Sequence, residues 1–141
     1  MVHGTHNAID DSRNKDIKIY INGTFFKREN AKISVFDSGY LVGDGIWEAL
    51  RLHRDVLVFL NDHLDRLWES AAAVGMTFPF TRNELVEEVW KTLNENNMHD
   101  DVHVRIMITR GNKKTFLFIF LFLVGQIYDF KLFLLDKIEI F

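Results

Sequence analysis

A glycine-rich loop that runs into an alternating segment, from Asp37 to Arg51, constrains the fold of this chain most. Its glycines permit backbone angles that a side chain would penalise. From Gly45 to His53 the residues alternate in polarity, which predicts a strand with two different faces. One face would carry Ile46, Glu48, Leu50 and Leu52, and the other would carry Trp47, Ala49, Arg51 and His53. The second face could form a wall of a site for an anionic ligand; an ordinary strand with a solvated Arg51 is the alternative.

The composition permits a packed core and excludes several kinds of site. The chain has 141 residues, of which 48% are hydrophobic and 26% charged, which suits one domain. A net charge of −3 gives no basic excess for binding nucleic acid. The absence of cysteine excludes disulfides, thiolate catalysis and Cys-ligated zinc. The six histidines are scattered, and the N-terminus lacks the apolar segment of a secretory signal. We therefore expect no metal site and a cytoplasmic protein.

Three segments differ in character along the chain. Residues 1–16 are polar and aperiodic, which predicts a disordered leader. Residues 17–111 combine strand and helix patterns, which predicts an α+β domain: an antiparallel-rich sheet packed by two helices. Residues 112–141 hold seven of the thirteen phenylalanines and show neither a clean helical nor a clean strand period. The apolar run Phe116–Val124 is too short to span a bilayer, which takes about 20 residues.

Local signals predict the strands of the domain. Asn22-Gly23 favours a hairpin turn between strands at 17–21 and 24–27, because both residues tolerate positive φ. Arg54-Asp55 would turn the central strand into a partner strand at 56–60. Two further strands are expected, a short one at Lys32–Val35 and an alternating one at Val102–Thr109.

Capping signals predict the two helices. The first would run from Asp62 to about Val74, with Asn61 as its N-cap and Gly75 as its stop. The second, at residues 82–96, follows Thr81 and Glu84, which have the spacing of a capping box.

Arg66 and Arg105 are two further candidates for binding an anion. Arg66 would lie at the edge of the apolar stripe of its helix, where it could be directed into a cleft. The alternative is an intrahelical pair with Asp62, worth about 0.3 kcal/mol. Arg105 lies on the less apolar face of its strand, where an edge-strand arginine is the alternative. The pattern alone leaves both alternatives open.

In their order and spacing, these residues resemble the N-terminal part of class-IV pyridoxal-phosphate aminotransferases. That family includes D-amino-acid and branched-chain aminotransferases and aminodeoxychorismate lyase. The D-amino-acid branch is the most similar, because of Asp37-Ser38-Gly39-Tyr40 and Gly43-Asp44-Gly45. The matching pieces, between about Ile17 and Gly111, are Ile21-Asn22-Gly23, Ala31 to Tyr40, Gly43 to Glu48, His63-Leu64-Asp65-Arg66-Leu67 with Ser70, Val104-Arg105 and Thr109-Arg110-Gly111.

The resemblance implies roles for four residues. The arginine of the His-x-x-Arg-Leu motif binds the cofactor phosphate in this family, so Arg66 is expected to contact pyridoxal phosphate. Trp47, Arg51 and Arg105 are expected to contact the substrate. Arg66 should then point toward the surface that carries the other three residues. A guanidinium on the opposite side of the sheet from Trp47 would contradict the phosphate role.

The resemblance also implies a reaction and a missing part. The family's dimeric enzymes transfer an amino group between an amino acid, here D- or branched-chain, and a 2-oxo acid, in a site between two domains. Their Schiff-base lysine belongs to the second domain, which we expect to be absent here. Lys113, Lys114, Lys131 and Lys137 lack its sequence context. We therefore expect no catalytic residue in this chain, weak or no cofactor binding, and no activity alone.

Two further expectations concern the chain as a whole. A non-enzymatic partner, which dimerises with a full-length relative through the family's dimer surface, is the alternative function. Residues 112–141 are interpreted as foreign to the domain, either a truncated product or translated non-coding sequence. Their deletion is then expected to leave the secondary structure of the rest nearly unchanged.

Overall fold

The computed structural model describes residues 11–112 and the backbone of residues 131–137. Within these ranges the chain folds as the predicted α+β domain, in which one sheet is packed by helices. The strands are β1 (Lys18–Ile21), β2 (Thr24–Lys27), β3 (Gly45–His53), β4 (Val56–Val58), β5 (Val102–Thr109) and β6 (Lys131–Lys137). The helices are α1 (Ser38–Val42), α2 (Leu60–Ala73) and α3 (Arg82–Glu95), with 3-10 turns at Ser12–Asn14 and Arg28–Asn30.

The six strands form one sheet in the order β2-β1-β6-β5-β3-β4. Every pairing between neighbours is antiparallel. The longest is the β3–β5 ladder, in which Trp47 pairs with Met107 and Ala49 pairs with Arg105. This ladder aligns the mixed faces of the two strands, so the residues predicted to contact a substrate lie on one surface.

The core lies between the sheet and the two long helices. Alternate residues of β3 and β5 are buried there, as the sequence pattern predicted. The helices contribute the apolar stripe of α2 and one face of α3. The most deeply buried core side chains are Leu50, Leu52, Leu67, Leu85, Val89, Leu93, Val102, Val104, Ile106 and Ile108. The two long helices, α2 and α3, leave the opposite face of the sheet uncovered.

Several local predictions are confirmed. Asn22 and Gly23 adopt φ values of 49° and 88° at the β1–β2 hairpin, and Arg54 and Asp55 likewise turn β3 into β4 with positive φ. The capping box before α3 is complete, because Thr81 and Glu84 each accept a hydrogen bond from the other's backbone N–H.

Two local predictions are wrong, one about the start of a helix and one about a short strand. Asn61 does not cap α2; the helix begins at Leu60, after Phe59 turns the chain with a φ of 50° and no side-chain cap. No strand forms at Lys32–Val35 within the described residues. There the backbone N–H of Asp37 bonds the carbonyl of Ser34, which closes a turn in place of a strand pairing.

The glycine loop, residues 37–45, contains the helix α1, which the sequence analysis did not predict. Asp37 caps α1 by accepting a hydrogen bond from the N–H of Gly39 at 2.9 Å. Gly43 ends the helix with a φ of 70°, a conformation that favours glycine.

Residues 131–137 form β6, between β1 and β5. The sequence analysis predicted no strand there, because this apolar segment shows no period of two. Residues 1–10, 113–130 and 138–141 lie outside the described residues, so the disordered leader stays a prediction for residues 1–10, as does the domain boundary at residue 111. Residues 11–16 of the predicted leader are described: they include the 3-10 turn Ser12–Asn14, and Arg13 donates to the carbonyl of Asp100 at 2.9 Å. None of the helices in the described part of the chain has the length and apolar character needed to span a membrane.

Candidate active site

A cavity of about 600 Å³ lies beside the glycine loop, on the side of the sheet opposite α2 and α3. Its lining comes from β1, the glycine loop, β3 and β5, and it is largely apolar. The lining includes Ile19, Ile21, Tyr40, Trp47, Met107 and Thr109. The cavity therefore suits an apolar group of a small molecule.

A buried carboxylate fixes the loop that borders this cavity. Asp37 is fully buried, and its two oxygens accept hydrogen bonds from the N–H of Gly39 and from the hydroxyl of Thr109, the latter at 3.0 Å. The N–H of Ser38 donates to the carbonyl of Gly111 at 2.8 Å. These bonds join the loop to the end of β5, so the cavity wall is tied to the sheet.

Two glycines allow the loop to approach β5 closely. A Cβ atom on Gly39 would lie 2.4 Å from Cγ2 of Thr109, which is well inside van der Waals contact. A Cβ atom on Gly45 would lie 3.0 Å from the carbonyl oxygen of Ile108. The absence of side chains at these two positions is what lets the loop pack on the strand.

Trp47 and Arg105 form a pair beside the cavity. The guanidinium carbon of Arg105 lies 4.8 Å from the centre of the Trp47 ring, within the range of a cation–π interaction. The Trp47 side chain is still 58% exposed. Arg51, on the same face of β3, forms a salt bridge with Asp101, and both side chains are about half exposed. The three residues predicted to contact a substrate thus share one face, with Arg51 engaged by an acidic partner.

On the other face of β3, the Glu48 carboxylate is in hydrogen-bonding contact with three groups: Arg66, His63 and the backbone N–H of Ala49. The Glu48 side chain is only 2% exposed. Its carboxylate accepts hydrogen bonds from Nε of Arg66 at 2.7 Å, from Nη2 of the same residue, and from the N–H of Ala49 at 2.7 Å. Nδ1 of His63 lies 3.1 Å from Oε1, so the tautomer with a proton on Nδ1 donates to it. A buried carboxylate with this many donors is fully satisfied.

These contacts set the charge state of the cluster. Burial by itself would raise the pKa of Glu48, but the hydrogen bonds from Arg66, Ala49 and His63 outweigh it and lower the pKa below its ordinary value. The same carboxylate raises the pKa of Arg66. Near neutral pH the cluster is therefore an ion pair at the α2–β3 junction.

The partner of Arg66 is Glu48, and not a group of the surface that carries Trp47. Its guanidinium is bound to Glu48, whose side chain lies on the helix side of β3, whereas Trp47 and Arg105 lie on the open side. Arg66 reaches Glu48 because α2 packs on the core-facing side of β3. The Arg66 side chain is nevertheless 64% exposed, so the ion pair with Glu48 leaves part of the guanidinium accessible to a ligand. The phosphate role stays a prediction that depends on the motif.

The sequence analysis gave no role to Glu48 or to Arg110, although both lie in the motifs. A signal for Glu48 was present, because a charged residue at a core-facing position of a strand must have a partner. Arg110 had no such signal: its contacts, to Asp44 and to the end of α2, come from segments distant in sequence. Among the described residues no group of His, Asp and Glu could hold a metal ion.

The fold defines the class of protein. Over 86% of its length the chain superposes on the branched-chain amino acid aminotransferase of Escherichia coli, with a TM-score of 0.73 and 20% sequence identity. The α+β domain therefore shares its fold with part of these branched-chain aminotransferases.

Sequence comparison then assigns the family. The family model for amino-transferase class IV matches residues 45–123, and the chain belongs to this family. It is 36% identical over 95 residues to a D-alanine aminotransferase of Listeria monocytogenes, which covers 67% of this chain and 32% of that protein. It is 40% identical over 102 residues to branched-chain-amino-acid aminotransferase-like protein 2 of Arabidopsis thaliana, with 72% and 18% covered. The chain therefore spans about a third or less of the length of these relatives, and 41% of the Escherichia coli chain.

Proposed function

We propose that this chain provides the smaller-domain half of a pyridoxal-phosphate-dependent aminotransferase site. The reaction would transfer an amino group between an amino acid, D- or branched-chain, and a 2-oxo acid. The observation that carries the proposal is the family match over residues 45–123, which includes β3, α2 and β5. The cavity beside Trp47 and Arg105 supports it, because an apolar pocket next to a cation suits an amino acid with an apolar side chain.

The substrate-binding roles follow from the open face of the sheet. Arg105 can donate paired hydrogen bonds to a carboxylate while it stays stacked on Trp47. Trp47 would cover the apolar part of the substrate, since its ring lines the cavity. For Arg51 to take part, its guanidinium would have to be shared with Asp101. We therefore assign the main contacts to Trp47 and Arg105, and an accessory one to Arg51.

The fit of a cofactor phosphate to Arg66 is partial. Glu48 engages Nε and Nη2, and 64% of the Arg66 side chain is exposed, so its Nη1 can donate hydrogen bonds to a phosphate oxygen. Pyridoxal phosphate, when bound, supplies an electron sink for the α-carbon of an amino acid. Arg66 would contribute only an electrostatic anchor for the phosphate, through the part of its guanidinium that Glu48 leaves free.

The phosphate role can be tested by substitution. Arg66→Met should weaken binding of pyridoxal phosphate about ten- to a hundredfold, because a hydrogen bond to a charged group is worth about 1.5–3 kcal/mol. Binding is measured by the change in cofactor absorbance. Arg82→Met is the matched control, since Arg82 is also a helical arginine paired with a carboxylate, that of Asp65, but lies away from the cavity. Equal affinities for the two variants would remove Arg66 from the cofactor site.

We further propose that this chain alone does not transaminate. The reaction needs a lysine amine to hold the cofactor and to move a proton at the α-carbon. His63 is the titratable group beside Arg66, but its Nδ1 is turned to Glu48. Incubation with pyridoxal phosphate and borohydride, followed by peptide mapping, should label no lysine uniquely. A D-alanine aminotransferase is the positive control. One uniquely labelled lysine, together with turnover of D- or L-amino acids above that of free cofactor, would contradict the proposal.

A non-enzymatic partner of a full-length relative is the second proposal. A group of exposed apolar side chains lies on α1 and on the segment that precedes it, and such a surface favours association. Mixing this chain with a full-length relative and separating the species by size should then yield a heterodimer; separate elution of the two chains would argue against it. The exposed group comprises Ile33, Val35, Phe36, Tyr40 and Val42.

A further inference from the structure

Arg110 joins three parts of the fold at the end of β5. Its Nε donates to Oδ1 of Asp44 in the glycine loop at 2.8 Å. Its Nη1 donates to the carbonyl of Gly75 at 3.2 Å, and its Nη2 donates to the carbonyl of Val74. The backbone N–H of the same residue donates to the carbonyl of Asp44 at 3.3 Å. One side chain thus links β5, the loop and the carboxyl end of α2.

The environment of Arg110 matches its chemistry. Only 14% of the side chain is exposed, so its donors must find partners within the protein. The carboxyl end of a helix presents carbonyls without partners and a partial negative charge, and both favour a cation. Gly75 follows the cap of α2 with a φ of 65°, and its carbonyl and that of Val74 both accept hydrogen bonds from Arg110. Arg110 therefore completes the C-terminal cap of α2 from a distant strand.

The two segments that Arg110 joins carry different parts of the candidate site. The glycine loop supplies Gly39, Tyr40 and Gly43 to the cavity wall. The helix α2 carries His63 and Arg66, which bind Glu48. Within the loop, the N–H of Asp44 bonds the carbonyl of Ser38, so a displacement of Asp44 would reach the cavity wall.

We propose that Arg110 is a positioning residue that fixes the glycine-loop wall of the cavity relative to α2. Arg110 is not assigned a contact with the substrate or the cofactor. It acts through Asp44 and the end of α2. Only the consequence for ligand binding rests on the proposed function. The mechanical coupling stands on the contacts of Arg110 alone.

Amide hydrogen exchange of the full chain tests the coupling. Arg110→Met keeps most of the side-chain volume but removes the donors. It should raise exchange about tenfold at two sets of amides, Gly43 and Asp44 in the loop and Gly75 and Met76 after α2, relative to the buried strand amides. Asp44→Asn should affect the loop set and leave the helix set unchanged. Arg82→Met, an arginine with an exposed acidic partner, should affect neither.

The pattern separates positioning from a general loss of stability. A general loss would raise exchange by one common factor in every amide that opens by global unfolding, including those of β3 and β5. That result, or a response limited to one of the two sets, would overturn the proposal. Arg110→Lys should restore one set only, because a single ammonium group on a flexible stem cannot reproduce the planar fork of arginine.

A ligand titration tests the consequence for the site. The probe is 4-methylvaleric acid, a short branched acid whose chain suits the cavity and whose carboxylate suits Arg105, followed by NMR. Arg110→Met should weaken its binding about tenfold in step with the increased loop exchange. Unchanged affinity in a loosened loop would show that Arg110 does not position the wall for a ligand. If the unsubstituted chain fails to bind the acid, the proposed substrate site fails, while the exchange pattern still decides the coupling.

Discussion

Glu48 shows how one buried side chain can organise two structural elements. It lies on β3, and the donors that satisfy it, Arg66 and His63, lie on α2. A buried carboxylate without donors would be strongly destabilising, so the helix must supply both side chains in register with the strand. The register of α2 on the sheet is therefore specified partly by this polar cluster, in addition to the apolar stripe.

Glu48→Gln should lower the free energy of unfolding by about 1–3 kcal/mol at pH 7, because the ion pair with Arg66 is lost within a buried site. The free energy of unfolding is measured by urea titration. Glu69→Gln, an exposed change on α2, is the control and should have little effect.

The same cluster predicts a pH dependence. The pKa of Glu48 is lower in the folded protein than its ordinary value of 4.5, so the unfolded state binds more protons as the carboxyl titrates. The stabilisation is fully present above about pH 4.5 and is lost as the pH falls through the folded pKa. Below pH 4.5 the difference in unfolding free energy between the native chain and Glu48→Gln should therefore shrink. A difference that stays constant down to acid unfolding would contradict this assignment.

At single positions, the sequence predicted which face a residue occupies better than which partner it takes. Alternation along β3 and β5 placed Trp47, Arg51 and Arg105 on one face correctly. It could not reveal that Arg51 pairs with Asp101, or that Arg66 turns to Glu48. Those choices depend on how α2 and the loop before β5 dock on the sheet, and no local pattern encodes that docking.

Among the elements, the glycine loop is the one with the tightest packing constraint. At Gly39 an alanine would favour helix α1 by up to about 1 kcal/mol, but its Cβ would lie 2.4 Å from Cγ2 of Thr109. We expect the clash to dominate, so Gly39→Ala should destabilise the chain by about 1–3 kcal/mol in urea unfolding.

A second substitution makes this prediction specific. Thr109→Ser removes Cγ2 but keeps the hydroxyl that donates to Asp37. In the Thr109→Ser background, Gly39→Ala should therefore lose most of its destabilising effect, which a double-mutant cycle measures. Additive effects of the two changes would show that contact with Thr109 is not the reason for glycine at position 39.

Elements with strong local signals were predicted well, and elements that depend on tertiary contacts were not. The α3 capping box and the β1–β2 turn are written in a few adjacent residues. By contrast, α1 depends on Asp37 being held by Thr109, which is 72 residues away in the chain. The start of α2 at Leu60 likewise follows from the turn that Phe59 makes out of β4, in place of the cap expected at Asn61.

At the scale of the whole molecule, the position of β6 changes how the tail is understood. Tyr20 and Ile21 of β1 pair with Leu134 and Phe133 of β6, while β5 pairs with β6 over seven residue pairs. In the described part of the chain, β6 is thus the strand that joins the β1–β2 hairpin to the rest of the sheet. The apolar composition that suggested a foreign segment is also what a strand inside a sheet requires.

Deletion of residues 112–141 should therefore be strongly destabilising, contrary to the expectation drawn from composition. Removing β6 would expose the hydrogen-bonding edges of both β1 and β5, and such open edges favour aggregation. The β1–β2 hairpin would keep its contacts with α3 but lose its strand neighbour, and an isolated hairpin is marginal in water.

Circular dichroism and urea unfolding of the truncated chain should show a loss of cooperative unfolding. As a control, deletion of residues 138–141 leaves β6 intact and should keep the transition close to that of the full chain. Native-like cooperativity in the chain that ends at Gly111 would show that the strand pairings of β6 do not stabilise the sheet, and would restore the interpretation of the tail as foreign to the domain.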